Sequence, residues 1–399
     1  MFELKIGLKN TYPTALSDIM KHPKFDKQDY EIIFPLIIFV IVGSGLMSLV
    51  RLNVLDPQNQ TPYLKESTLF SAPTATAENS IHIGTYIDNI YNFSIINHTF
   101  DADGWIWIKW PQKVHEYFEA HKLTSDKWLH FVNQAQDWDF KLDKLNDTPI
   151  KLDDGHYYQG YKFSFHFTIN NINLHAFPFH TLKIPIIFEL ADYSVANPKA
   201  IQHEFQLLAD KSSSFGSYIN IPGYEPIAFN ILSNNHQYGT NFGLNKTNIK
   251  AFIPNQVVFE ASYKQSVNSI ILTKIFPLII VMSVVLFSPM LSASQWDIRL
   301  GIPPTTLLTL VFIQLSYRDK LPDIPYITFM DMIFNTCYFI IVIMFGYFLW
   351  SANKLYRNSE TDKAAIVEKI DTIDLRLLLF LPIATVFLIS TNWIMMNHP

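Results

Sequence analysis

The sequence predicts a membrane protein of two parts, a domain of many short β-strands followed by four closely spaced transmembrane helices, with one more helix near the N terminus. Five apolar stretches reach or approach the roughly 20 residues that a helix needs to cross a bilayer. The long interval at 51–274 separates the first stretch from the second. Apolar and polar residues alternate there with a period of two, which is typical of half-buried strands.

The composition supports a membrane protein and excludes several other classes. Hydrophobic residues make up 49% of the 399 residues and charged residues 16%, which is more apolar than an average soluble domain. A net charge of −5 gives no indication of nucleic-acid binding. The single cysteine, Cys337, lies in an apolar stretch, so an intrachain disulfide and a cysteine-based zinc site are both excluded.

The apolar stretches set the predicted domain boundaries. They are Ile32–Val50, Ile275–Ser292, Leu300–Tyr317, Tyr326–Trp350 and Leu377–Met396. We predict an N-terminal transmembrane helix at 31–51, and a four-helix transmembrane domain at 266–399 with helices at about 268–292, 299–317, 326–350 and 375–396. We expect the first helix to be a retained anchor, because the segment at 1–30 is long for a signal peptide and no small-residue cleavage site follows the stretch.

Lysine and arginine residues predict the orientation of these spans. They are frequent in the segment at 1–30 and in the segment at 354–376, and Arg299 lies between the second and third stretches. With five spans, all three segments fall on one side of the membrane, which the positive-inside rule makes the cytoplasm. The large domain and the C terminus then lie outside.

The large domain, at 80–265, is predicted to be a β-sandwich or a barrel. Its alternating apolar positions are Ile81, Ile83, Thr85, Ile87, Ile106, Ile108, Trp110, Phe163, Phe165, Phe167, Ile169, Ile184, Ile186 and Phe188. Clusters of Asn, Asp, Gly and Pro separate these short strands. The charged segment at 112–138 has apolar residues at helical spacing, and the segment at 52–79 has the Pro, Thr and Ser content of a linker.

Several segments, in order, resemble the pentameric ligand-gated ion channels of the Cys-loop receptor superfamily in their prokaryotic form. Ile81–Tyr91 and Thr99–Trp110 are similar to the first two strands of that family. Phe177–Leu182 resembles the signature loop Phe-Pro-Phe-Asp-x-Gln, and Pro277 matches the proline of the first pore-domain helix. Arg299–Gln314 resembles the pore-lining helix. The resemblance covers residues 80–396 and implies an immunoglobulin-like β-sandwich and a homopentamer.

The chain also departs from the family pattern. The positions of the two loop cysteines of animal members fall near Asn170 and Ile184, so the Cys-loop disulfide is absent, as expected for a prokaryotic member. His180 replaces the usual Asp, and Lys264 replaces the usual Arg. The N-terminal transmembrane helix is an addition to the four helices of the family.

The third apolar stretch carries a stripe at helical spacing. Its members are Asp297, Gly301, Thr305, Leu308, Phe312, Leu315 and Asp319. In five copies around an axis these become rings, with acidic rings at the two mouths that favour cations and an apolar constriction that can close by dewetting. The alternative is a lipid-facing or packing stripe. The Pro303-Pro304 pair favours a helix that begins near Gly301, which leaves Asp297 on a loop where Arg299 can neutralise it.

The resemblance also implies a ligand cleft between neighbouring sandwiches. The matching aromatic residues are Trp105 on the second strand, Tyr157 and Tyr158 on a middle loop, Tyr193, and Tyr238 with Phe242 on a late hairpin loop. Their rings could hold a cationic amine by cation–π attraction. Packing is the alternative role for each, and it is favoured for Trp107 and Trp110.

The residues expected to couple sensing to opening are Phe179, His180, Lys264, Leu321, Pro322 and Asp331. Because histidine changes charge near neutral pH, His180 could make opening pH-sensitive; a simple polar replacement is the alternative. Asp331, at the outer end of its helix, is expected to pair with Arg318 or Lys320.

The resulting prediction is a subunit of a homopentameric, cation-selective channel in the bacterial inner membrane, opened by an unidentified small molecule or by protons. Its expected partners are its own copies, membrane lipids and monovalent cations, with no nucleic acid. No catalytic, metal or cofactor site is expected, because the motifs of hydrolases, metalloproteases and nucleotide-binding enzymes are missing from the sequence. The alternative is a non-conducting membrane receptor that keeps the same fold.

Overall fold

The computed structural model describes residues 77–135, 141–170, 172–190, 201–216, 219, 221–236 and 255–397. The predicted N-terminal helix at 31–51 and nearly all of the predicted linker lie outside these residues. The described chain forms two compact units. A β-rich unit comprises the described residues as far as Thr273 together with Arg318–Thr328, and a helical unit comprises Lys274–Tyr317 and the residues from Phe329 onward.

The β-rich unit contains eleven strands within the described residues. They are β1 (Ser80–Ser94), β2 (Thr99–Trp110), β3 (Leu129–Phe131), β4 (Lys141–Lys144), β5 (Ile150–Lys151), β6 (Tyr157–Thr168), β7 (Thr181–Leu190), β8 (Gln206–Ala209), β9 (Ser214–Phe215), β10 (Tyr224–Asn235) and β11 (Asn255–Gln265). Three short helices accompany them, α1 (Gln112–His121), α2 (Ser125–Trp128) and α3 (Ile201–Glu204). Within the described part of the segment at 112–138, the first residues are therefore helical, in α1 and α2, and strand β3 follows them.

These strands form two sheets. One has the order β4-β6-β2-β1-β8, with β5 also pairing β6 and β9 also pairing β1, and the other has the order β10-β11-β7-β3. The long pairings are antiparallel, whereas β8 and β9 run parallel to β1. The predicted sandwich or barrel is therefore sandwich-like, with two sheets on a shared core.

The period of two in the sequence sets which side chains enter this core. On β2 every second residue from Phe100 to Trp110 is buried, and the residues between them face outward. Leu182, Ile184 and Phe188 of β7 and Phe259 of β11 join the same apolar cluster from the opposite sheet. All the alternating apolar positions that the sequence indicated are buried, so the predicted strand faces are confirmed.

Four further helices are long and apolar enough to cross a membrane. They are α4 (Val267–Met290), α5 (Trp296–Arg318), α6 (Phe329–Arg357) and α7 (Glu360–Asn397). The turn Ala293–Gln295 extends the second of these spans at its N-terminal end. The layout of a β-rich domain followed by four membrane-capable helices agrees with the prediction from the apolar stretches.

The helix boundaries differ from the prediction in three places. Helix α5 begins at Trp296 and continues through Pro303 and Pro304, so the expected start near Gly301 is wrong. Helix α6 begins at Phe329 rather than 326, and α7 begins at Glu360 rather than 375. Hydropathy marks the part of a helix that fits a bilayer, whereas the helix itself continues through its polar ends.

The interior of α4 has a wider turn at Ile271–Ile275, where the helix adopts the π form. Pro277 follows directly. Proline lacks the N–H that would bond the carbonyl four residues earlier, and its ring crowds that carbonyl. The wider turn relieves this crowding.

Candidate functional site

The predicted stripe of α5 lies on the exposed face of the helix. Its apolar members Leu308, Phe312 and Leu315 are 58%, 62% and 54% exposed. Asp297, Gly301 and Thr305 are exposed in the same helix, and Asp319 is exposed directly after its last residue. An acidic first turn, a small polar middle and an apolar C-terminal half therefore share one face of α5.

The opposite face of α5 is buried in the helical unit. Its buried members are Arg299, Pro303, Thr306, Leu310 and Tyr317. Tyr338 of α6 donates a hydrogen bond to the side-chain oxygen of Gln314, which joins the two helices near the C-terminal end of α5. These contacts orient α5 so that its stripe faces away from the rest of the helical unit.

Arg299 does not neutralise Asp297 as expected from the sequence. Asp297 belongs to the first turn of α5 and is exposed, whereas Arg299 is fully buried. Two residues apart on an α-helix, side chains point about 200° apart. The Arg299 guanidinium instead donates to the carboxylate of Asp374 on α7 at 2.6 Å.

Trp105 lies on the outer face of the first sheet. It faces outward from β2 and is partly exposed, and the Lys162 ammonium of β6 stands 5.5 Å from its ring centroid. Tyr158 shares this outer face, because it pairs with Lys109, and this pair lies four residues along the two strands from the pair Trp105 and Lys162. The face of Trp105 is therefore already in contact with a cation of the same chain.

Tyr157 and Tyr158 are the first two residues of β6, so the loop position predicted for them is wrong. The ring of Tyr157 stacks on His115 with 3.7 Å between centroids, and its hydroxyl donates to Gln112 of α1. Tyr157 thus packs β6 against α1. The other predicted ligand contacts, Tyr193, Tyr238 and Phe242, lie outside the described residues.

A cluster of hydrogen bonds centred on Asp210, here called the Asp210 clasp, was not predicted from the sequence. Its carboxylate accepts hydrogen bonds from Trp107 Nε1 at 2.9 Å, Lys109 Nζ at 3.0 Å, and both the backbone N–H and hydroxyl of Ser212. Burial by itself would raise the pKa of Asp210, but these hydrogen bonds outweigh burial and lower the pKa well below its usual range. The clasp fixes the turn after β8 to the outer face of β2.

Two predicted coupling positions meet where β7 begins. His180 is buried, its ring stacks on Phe177, and its Nε2 lies 3.3 Å from the hydroxyl oxygen of Tyr224. Burial raises the pKa of Tyr224 to about 12. Lys264 of β11 pairs in register with Thr181, the residue after His180. Phe179 is half-buried in the same turn.

The remaining predicted coupling residues lie around the end of α5 and the start of α6. Leu321 is buried and Pro322 is half-buried in the segment Arg318–Thr328. Asp331 is buried in the first turn of α6, only 3% exposed.

A contact missed by the sequence connects the segment Arg318–Thr328 to the loop before β7, within the β-rich unit. The hydroxyl of Tyr326 accepts a hydrogen bond from the Leu174 backbone N–H at 3.0 Å and donates one to the Ile172 carbonyl at 3.4 Å. Its ring stacks on His175 with 3.9 Å between centroids. Burial lowers the pKa of His175, and a hydrogen bond with the Ile327 backbone partly offsets that effect. Tyr326 precedes α6 and does not belong to it.

No protein-family model matches this chain, and no curated protein matches it either. The function is therefore argued from the residues and from the geometry above. Among the described residues, no group of three or more His, Cys, Asp or Glu side chains is placed to hold a metal ion.

Proposed function

We propose that the chain is one subunit of a homopentameric ligand-gated ion channel of the Cys-loop receptor superfamily, selective for cations. The observation that carries the proposal is the exposed stripe of α5. A helix that buries Arg299 and Tyr317 on one face presents Asp297, Thr305 and Leu308 on the other. Five such faces around an axis form a path with polar inner rings and an apolar constriction, and such a constriction closes by dewetting.

Charge supports the choice of cations. Asp297 gives the inner mouth a ring of carboxylates, and Asp319 gives the outer mouth another, because both are exposed. Arg299 is the basic residue in the same α5 turn as Asp297. Its side chain is buried on the opposite face of the helix. Rings of Asp or Glu attract cations and repel anions.

The β-rich domain supports a sensing role. Its outer sheet face carries Trp105, Tyr158 and Lys162, and its loop at 172–175 bonds Tyr326 in the segment that connects α5 to α6. A stimulus that shifts the sheets therefore has a direct route to the end of the pore helix. We assign the domain an immunoglobulin-like fold, a periplasmic location, and an agonist that is a small molecule or a proton.

The localisation follows from the spans and the distribution of lysine and arginine. The four apolar helices suit a membrane. The basic segment at 354–376 places their inner ends in the cytoplasm by the positive-inside rule, which suits the inner membrane of a bacterium. Lipids would then contact the helix faces that do not meet the pore or the neighbouring subunits.

Two measurements on purified protein test the proposal. Native mass spectrometry should give five copies per particle. Planar-bilayer recordings in a sodium chloride gradient should reverse near the sodium equilibrium potential, and Asp297→Asn should lower the conductance while Asp323→Asn, an exposed acidic control in the segment after α5, should leave it unchanged. Reversal near the chloride potential would exclude cation selectivity. A pentamer without current under any condition would favour the non-conducting receptor.

A further inference from the structure

A buried ionic network lies beneath the inner end of the stripe. The Asp374 carboxylate oxygen Oδ1 accepts a hydrogen bond from Arg299 Nη2 at 2.6 Å and one from the Tyr347 hydroxyl at 2.7 Å. Arg299 is 0% exposed and Asp374 is 2% exposed. The three residues come from α5, α6 and α7, so the network ties the pore-helix candidate to two neighbouring helices.

Aromatic rings hold the same guanidinium from a second side. Its central carbon lies 4.5 Å from the ring centroid of Phe348 and 5.9 Å from that of Tyr347. A guanidinium stacks on aromatic faces by cation–π attraction. Among the described residues, Nε and Nη1 of Arg299 have no hydrogen-bond partner, and Asp374 supplies the carboxylate to which its Nη2 is bonded.

We propose that Asp374 is a positioning residue for ion selectivity, because it holds the positive charge of Arg299 away from the exposed face of α5. This inference rests on the proposed channel function. A buried charge that loses its partner is strongly unfavourable, and a long arginine side chain can reach a wetter surface while its stem stays buried. The acidic residue of the same turn, Asp297, is exposed, and its carboxylate would attract the guanidinium. Without Asp374, the acidic ring at the inner mouth would therefore be neutralised.

Arginine labelling tests the position of Arg299 without any recording of current. Full-length protein in lipid nanodiscs is treated with phenylglyoxal, and modified peptides are mapped by mass spectrometry. In the wild type, the exposed Arg318 and Arg357 should react while Arg299 stays protected. Asp374→Asn should make Arg299 react roughly tenfold faster or more, since the compensating charge is gone. Tyr347→Phe, which keeps the carboxylate, should leave Arg299 protected. Equal labelling of Arg299 in wild type and Asp374→Asn would overturn the inference.

Reversal potentials separate positioning from a purely structural role. Asp374→Asn should shift the reversal potential toward that of chloride, and Arg299→Gln/Asp374→Asn should restore the wild-type value, because no positive charge remains to move. If Asp374→Asn fails to fold, the comparison is made between Asp374→Glu and the double variant. A double variant whose reversal potential is shifted toward that of chloride would overturn the inference. Wild-type protein without current, but with Arg299 labelled only in Asp374→Asn, would overturn the channel function and retain the positioning of Arg299.

Discussion

The two units of this protein differ in how far they expose large aromatic side chains. In the β-rich unit, Phe163, Phe167 and Phe188 are at most 1% exposed. In the helical unit, Phe312 and Phe387 are 62% and 66% exposed. Charged side chains are buried in both units, because Glu189 of the β-rich unit is 3% exposed and Arg299 of the helical unit is 0% exposed.

This difference indicates that the two units suit different surroundings, water for the β-rich unit and the hydrocarbon of a bilayer for the helical unit. The β-rich unit buries apolar area away from water, as an ordinary soluble domain does. In the apolar windows of the four helices, the buried share of residues ranges from 11% in α7 to 44% in α6. Apolar faces of that extent are stable in hydrocarbon and would associate in water. The helical unit therefore suits the hydrocarbon of a bilayer rather than water.

Truncation of a large aromatic side chain should give the greatest contrast between the units. Phe188→Ala, in the β-sandwich core, should lower the free energy of unfolding by about 3–5 kcal/mol, because it leaves a cavity that neighbouring residues cannot fill. Phe387→Ala, on the exposed face of α7, should change it by about 0.5 kcal/mol or less. Thermal unfolding of the purified full-length protein in detergent measures both. Equal losses of unfolding free energy in the two variants would contradict the difference in aromatic exposure between the units.

A lysine introduced at an exposed apolar position should have the next largest difference in effect between the two units. Val386→Lys, in the middle of α7, should disfavour membrane insertion by about 2.5–3.5 kcal/mol. Ile227→Lys on β10, where Ile227 is 55% exposed against 65% for Val386, should change the free energy of unfolding by about 0.5 kcal/mol or less. The fraction of expressed protein recovered in the membrane reports the difference. Normal insertion of Val386→Lys would show that this face of α7 does not meet lipid.

Removal of the Tyr326 hydroxyl tests whether its hydrogen bonds hold the segment between α5 and α6 to the loop before β7. Tyr326→Phe removes the hydroxyl that bonds the Leu174 N–H and the Ile172 carbonyl, which should cost about 1–2 kcal/mol locally. Hydrogen exchange at the Leu174 amide should become roughly tenfold faster. Tyr356→Phe, whose side chain is 87% exposed, serves as the matched control. Unchanged exchange at Leu174 would show that the ring stacking on His175 is sufficient.

The smallest effect is expected at the Asp210 clasp, and it depends on pH. Because the folded-state pKa of Asp210 is lowered, its contribution to stability is present above the unfolded pKa of 3.8 and is lost as the pH falls below it. The Asp210 side chain is 16% exposed and its partner Lys109 is 36% exposed, so solvent screens their ion pair and Asp210→Asn should cost only about 1 kcal/mol at neutral pH. Urea unfolding at about pH 6 and about pH 3 should show a smaller pH dependence in the variant. An identical pH dependence would contradict the clasp.

Local periodicity explains which features could be predicted from the sequence. The alternation along β2 and β6 and the stripe from Asp297 to Leu315 repeat at the period of their own element, so each can be recognised within one segment. The Asp210 clasp joins residues 103 apart, and Arg299 meets Asp374 75 residues away. Such pairs depend on how elements pack, and nothing in the nearby residues indicates them.

The Pro303-Pro304 pair misled the prediction for a related reason. Two prolines remove two backbone donors, which normally favours the first turn of a helix. Helix α5 nonetheless extends back to Trp296, and its first turn is held by the buried Arg299 and its bond to Asp374. A tertiary contact thus stabilises a turn that the local sequence disfavours.

The central claim is that the exposed face of α5 lines an ion path, and cysteine accessibility tests it most directly. The single native cysteine, Cys337, is buried, so Cys337→Ser provides a cysteine-free background. In that background, a positively charged methanethiosulfonate should block the current of Leu308→Cys. It should leave Thr306→Cys, on the buried face of α5, and Ile383→Cys, on the exposed face of α7, unaffected. Block of Thr306→Cys or Ile383→Cys while Leu308→Cys still conducts would contradict the account.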